Sequence, residues 1–198
     1  MPGKVKKPPI DKKAVLARLE HARAERLPVH VRRWIPSADR LDGFVVGIGA
    51  EWVALQRLSD RIEFDGWQLV RRKDIQAVHI EPDPEGFAIR ALKARTLWPP
   101  TVPALDLDDA VAVIRSASLA APTMVAVHQE FYRPDVCWIG AVTSLDRDCL
   151  RLLEVSPQAG WARTATAMDL TAITRVEFGG YEEALLLVAG PPPELPPI

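Results

Sequence analysis

The chain has 198 residues, of which 48% are hydrophobic and 26% charged, and its net charge at pH 7 is −1. These values exclude a disordered or collagen-like chain, and two cysteines exclude a disulfide scaffold. No apolar run approaches the ~20 residues of a membrane span, and the basic, proline-containing start has no apolar signal-peptide core, so the cytoplasm is the expected compartment and no membrane partner is expected.

In chain order, 1–10 carries Lys4, Lys6 and Lys7 among prolines and reads as a mobile basic arm. Asp11 is a good helix cap, and Val15, Leu16, Leu19 and Leu27 mark one apolar stripe of a helix that Pro28 ends. Strands are predicted at 29–35, 44–48, 52–58, 67–71 and 76–81, with Asp74-Ile75 forming a tight helical turn between the last two. Gly47 and Gly49 fall where a strand bends sharply or a second backbone comes close. A short helix over 85–93 presents Phe87 and Leu92, and the prolines of 96–107 make that stretch a stiff linker.

The order then repeats. A helix over 108–119 buries Val111, Ile114 and Leu119; strands are predicted at 124–132, 136–144, 149–155, 161–167 and 173–178, then a helix over 181–189 closed by Gly190. The remainder, 191–198, is a proline-rich tail. Cys137 and Cys149 fall on adjacent strands out of register for a disulfide and are expected to be reduced.

A repeated motif underlies this order. Gly66-Trp67, Asp74-Ile75-Gln76-Ala77-Val78 and Ile80-Glu81 return as Gly160-Trp161, Asp169-Leu170-Thr171-Ala172-Ile173 and Val176-Glu177. The chain is therefore read as an internal duplication with repeats at 11–95 and 108–190. Trp67 is expected to match Trp161, with both mostly buried, and Asp74 to match Asp169, each carboxylate capping the turn it begins.

Five short bent strands with a one-turn helix before the fifth resemble the Sm and Sm-like family of bacterial small β-barrels, over about 11–93 and 107–189. The resemblance implies a mainly β chain of two tandem five-stranded Sm-like barrels, each preceded and followed by a helix. It also implies that the fourth strand of one barrel pairs with the fifth of the next, a pairing that a tandem chain can make within one molecule. The family's nucleotide-reading loops have no match in 49–52, 72–74, 146–148 or 168–169, and the chain contains no Asn.

The halves differ in charge. Residues 1–100 hold 19 Lys and Arg against 13 Asp and Glu, and 101–198 hold 6 against 13. This fits drift after duplication, attraction between the halves, or an anionic partner for the basic half. Lys12, Lys13, Arg71, Arg72 and Lys73 are the candidate anion or nucleic-acid contacts. His30 and His128 occupy matching strand positions without ligand spacing, and are read as packing residues. No catalytic, cofactor or metal residue is assigned. The expected function is a non-enzymatic scaffold or protein-binding module, with an unknown protein partner or self-association. The alternatives are weak, sequence-indifferent RNA binding through the basic half, and an enzyme site at the seam between the barrels.

Overall fold

The computed structural model describes residues 11–121 and 124–194. The basic arm expected over 1–10 and the end of the proline-rich tail lie outside the described residues.

Helix α1 (Lys12–Glu25) starts where the Asp11 carboxylate accepts hydrogen bonds from the Lys13 and Ala14 backbone N–H groups at 3.1 and 3.0 Å. It stops at Arg26, which adopts a left-handed conformation. The first half continues with β1 (Pro28–Arg33), β2 (Leu41–Ile48), β3 (Trp52–Leu58), β4 (Phe64–Arg71), a 3₁₀ turn (Arg72–Asp74), β5 (Ile75–Ile80) and α2 (Phe87–Ala94). The second half contains α3 (Ala110–Ala120), β6 (Val125–His128), β7 (Cys137–Leu145), β8 (Cys149–Glu154), β9 (Thr166–Asp169), a 3₁₀ turn (Leu170–Ala172), β10 (Arg175–Phe178) and α4 (Tyr181–Ala189).

These strands do not make two barrels. They form one open antiparallel sheet in the order β5-β1-β2-β3-β4-β10-β6-β7-β8-β9. Closing the first half would require β4 to pair with β5. Instead β4 spends its outer edge on β10, opposing Val70 to Arg175 and Gln68 to Glu177. A strand edge carries a single row of donors and acceptors, so this pairing and closure are alternatives. The Sm-like barrel assignment is thereby overturned, although each half keeps the strand order fifth, first, second, third, fourth. The pairing of a fourth strand with the other copy's fifth within one molecule does occur.

The seam also fuses the cores. α1 covers Val29, Val31, Val53, Leu55, Val70 and Val78 on one side. The opposite faces of β3 and β4, bearing Trp52, Ala54 and Leu69, join Val127, Leu152, Val176, Phe178 and the Val113, Ile114 and Ala117 face of α3 in a single larger core. Both faces of β3 are buried, which is why Trp52 to Leu55 reads as an unbroken apolar run. On α3 the buried residues are Val113, Ile114 and Ala117, while Leu119 is exposed. The linker docks here too: the Leu107 carbonyl accepts from the Trp52 N–H at 3.0 Å, and a Cβ at Gly49 would collide with Leu107 backbone. Close approach of a second backbone is thus the reason for Gly49.

The repeat aligns differently from its motif. Leu58 opposes Phe64 in the first copy, and Val155 is bridged to Trp161 in the second, so Trp161 stands where Phe64 does. Each 3₁₀ turn is followed by an isoleucine, Ile75 or Ile173, which matches Asp74 to Ala172 and Asp169 to Arg71. The motif alignment is out by three residues, one turn of a 3₁₀ helix. Asp169 caps its turn, accepting from the Thr171 N–H at 2.7 Å; Asp74 ends its turn, buried, and caps nothing. Trp67 and Trp161 are half-buried, and the fully buried tryptophan is Trp52. Trp67 instead joins the halves by stacking on Phe178 at 5.1 Å.

Candidate functional site

Two local structures set up the site. The Asp11 cap places Lys12 and Lys13 in the first turn of α1, and the 3₁₀ turn after β4 presents Arg72 and Lys73 beside the last strand residue, Arg71. α1 packs on β2 and β5, and this brings the two segments together. All five basic residues singled out in the sequence line one groove of about 510 Å3. Its apolar lining is Val15, Leu16, Ala50 and Ile75, and its sole acidic lining residue is Glu51.

The five cations are not equivalent. Arg71 is buried and committed: Nε and Nη2 donate to the Ile173 and Leu170 carbonyls, both at 2.7 Å, while the guanidinium lies 4.8 Å from the Trp52 ring centroid. Burial pushes its pKa down, and Glu51, Asp74 and Asp169 pull it back up. Arg71 therefore clamps the second half to the first and offers the groove its charge more than its hydrogen bonds. Arg72 uses Nη1 on the Gly49 carbonyl at 3.1 Å and keeps its other donors. Lys12, Lys13 and Lys73 are exposed and make no hydrogen bond through their side chains and no ion pair among the described residues.

A smaller depression of about 390 Å3 adjoins the groove through Glu51, Arg71 and Lys73. It adds Arg147, from the β7–β8 turn, together with Asp109 and Thr171. Clustered cations with little compensating charge raise the local positive potential, and an apolar wall beneath them strengthens the field. The arrangement is suited to holding an anion with some apolar body.

The sequence marks Val15 and Leu16 as part of a helix stripe and Arg147 as part of a hairpin turn, but none of them as lining a basic groove. Nothing in the spacing of Leu16, Ala50 and Ile75 marks them as neighbours, since three separate elements supply them.

The histidines play another part. His30 bonds to Asp42 at 2.7 Å and Glu81 at 2.9 Å and stacks on His79. His128 lies 3.1 Å from Arg175 at the seam. They are thus bound to charged groups more than to aromatic ones. Among the described residues no group of three or more His, Cys, Asp or Glu is placed to hold a metal ion. Both cysteines are free thiols, and burial raises the pKa of Cys137. No helix among the described residues is long and apolar enough to cross a membrane.

Compared with known proteins, the chain matches no family model, no curated protein and no solved structure.

Proposed function

We propose that the protein binds an organic anion, a phosphate or carboxylate carried on a small apolar body, in the groove between α1 and the β4–β5 turn. The scaffold reading rested on closed Sm-like barrels and falls with them. What supports the new reading is one observation: five cations from two segments about 60 residues apart in sequence line a single concavity with an apolar wall and one carboxylate. Lys12, Lys13 and Lys73 would meet the anion, Arg72 would add a forked contact, and Leu16 and Ile75 would cover the apolar part. The proposal concerns binding and assigns no reaction.

Titration calorimetry with inorganic phosphate and with hexyl phosphate tests it. Hexyl phosphate should bind more tightly, since each buried methylene adds about 0.8 kcal/mol. Lys12→Glu combined with Lys73→Glu should abolish both interactions, and Leu16→Ser should remove only the advantage of the alkyl chain. Failure of both probes to saturate the protein, or their equal binding to the charge-reversed variant, would refute the site.

A further inference from the structure

The open sheet has two edge strands, β5 and β9, and the chain treats them differently. Beyond the end of β5 the Glu81 N–H donates to the Pro28 carbonyl of β1 at 3.0 Å, so alternation along the strand turns the backbone N–H and C=O of Val78 away from β1, toward the open edge. That edge is covered. The Arg18 guanidinium of α1 donates from Nη1 to the Val78 carbonyl at 2.9 Å, and Val78 is only 1% exposed. A cation laid on an edge carbonyl, with a helix packed alongside, keeps a further strand from adding there.

β9 has no such cover. The Leu170 N–H donates to the Asp148 carbonyl on the β8 side at 3.1 Å, so the N–H and C=O groups of Asp169 and Ala167 face away from β8. No strand lies beyond them among the described residues, and Thr166, Ala167 and Asp169 are all exposed. The corresponding strand of the first copy, β4, uses this same edge on β10, opposing Leu69 to Val176. With β5 shielded by Arg18, growth of β9 onto β5 of a neighbouring molecule is blocked. The edge left to meet β9 is β9 of a second copy.

The sequence of this edge is complementary to itself. Laid antiparallel on its own copy about Thr166, the segment sets Thr166 beside Thr166, Ala165 beside Ala167 and Arg163 beside Asp169. Threonine pairs and opposite charges are favourable neighbours across two strands, and like charges are not. Centring on Ala167 instead would put Asp169 opposite Ala165 and leave both charges without a counterpart. Arg163 is exposed, and its side chain makes no hydrogen bond or ion pair among the described residues. Asp169 uses one carboxylate oxygen on Thr171 and keeps the other for a partner. We propose that β9 is the docking edge for a second copy of this chain, which pairs through 165–167 in a two-fold dimer flanked by two Arg163–Asp169 ion pairs. Such a contact uses the same edge of both molecules, so it closes at two chains, and the short ladder makes it weak and reversible.

Sedimentation of the full chain over a range of concentrations measures the association, and amide hydrogen exchange at low and high concentration locates it. A monomer–dimer equilibrium is expected, with the Ala165 and Ala167 amides protected only in the dimer. Ala167→Pro removes an edge donor that the molecule's own ladder does not use, and should abolish the dimer while the near-UV circular dichroism stays unchanged. Arg163→Glu should weaken association about tenfold by setting like charges opposite one another, and adding Asp169→Lys should restore it. Should Ala167→Pro disturb the fold, Arg163→Glu decides alone, since Arg163 is exposed and has no partner to lose. The proposal is overturned by a chain that stays monomeric at millimolar concentration, or by a dimer indifferent to Arg163→Glu or to a folded Ala167→Pro. Growth beyond two chains would also overturn it, because the β5 edge would then be pairing despite Arg18.

Discussion

Arg33, at the end of β1, and Glu130, just beyond β6, stand 97 residues apart in sequence and meet as a two-point ion pair shielded from solvent. Thr174 adds a hydrogen bond to Glu130 at 2.6 Å. Burial alone would raise the Glu130 pKa, but the Arg33 bond and the Arg175 charge outweigh it and hold the carboxyl below its ordinary value. The pair locks the first strand of one copy to the first strand of the other.

Breaking that pair from one side should be costly. Arg33→Ala or Glu130→Ala strands a buried charge, and the expected loss is about 3–5 kcal/mol in denaturant unfolding. Replacing both, Arg33→Met with Glu130→Leu, should cost less than either single substitution, because neither charge is left without its partner.

Acid should weaken the seam through Glu177. Burial alone would raise its pKa; the neighbouring His128 and Arg175, with Arg57 further off, instead lower it to about 2. A folded pKa below the unfolded one means the contribution is complete above about pH 4.5 and is lost as pH falls toward about 2. It amounts to at most about 3 kcal/mol. Unfolding measured across that window should lose slope in Glu177→Gln.

Asp74 should act with the opposite sign. Burial raises its pKa against the pull of Lys73, Arg71 and Arg33, and its Oδ2 has no hydrogen-bond partner. The charged form is therefore a burden on the native state at neutral pH. Asp74→Asn should stabilise the protein there, with an advantage that shrinks as pH falls through the raised pKa of the wild-type carboxyl. Thermal melts at neutral and mildly acidic pH would show both effects.

The tryptophans should rank by burial and not by their place in the repeated motif. Trp52→Ala should cost about 3–5 kcal/mol, the range for a fully buried large aromatic, and Trp161→Ala less than half of that. Equal losses in urea unfolding would contradict the core described above.

Local chemistry in the sequence by itself determined most of the elements and their repeated order, although the strand expected over 161–167 runs instead over Thr166–Asp169 and the one expected over 124–132 ends at His128. Asp11 and Pro28 bracket α1, apolar runs mark the strands, Gly49 marks a close backbone approach, and the charges of Lys12, Lys13 and 71–73 identify the basic groups. Each is a matter of a few neighbouring residues. The motif alignment failed because Gly-Trp and Asp recur at different positions of the two copies: Trp161 stands where Phe64 does, and Asp169 where Arg71 does.

Only the tertiary structure decided what β4 pairs with, and most else follows from that. Whether Val70 faces Arg175 or a strand of its own half depends on competition for one edge, which nearby residues do not record. The same pairing opens the sheet, buries Trp52 more deeply than Trp67, diverts Arg71 to the Leu170 and Ile173 carbonyls, and turns Gln68 and Glu177 into the floor of a trough. In sequence those two are ordinary polar strand residues. Hydrogen-bond partners contributed from about 100 residues away give them their buried, charged setting.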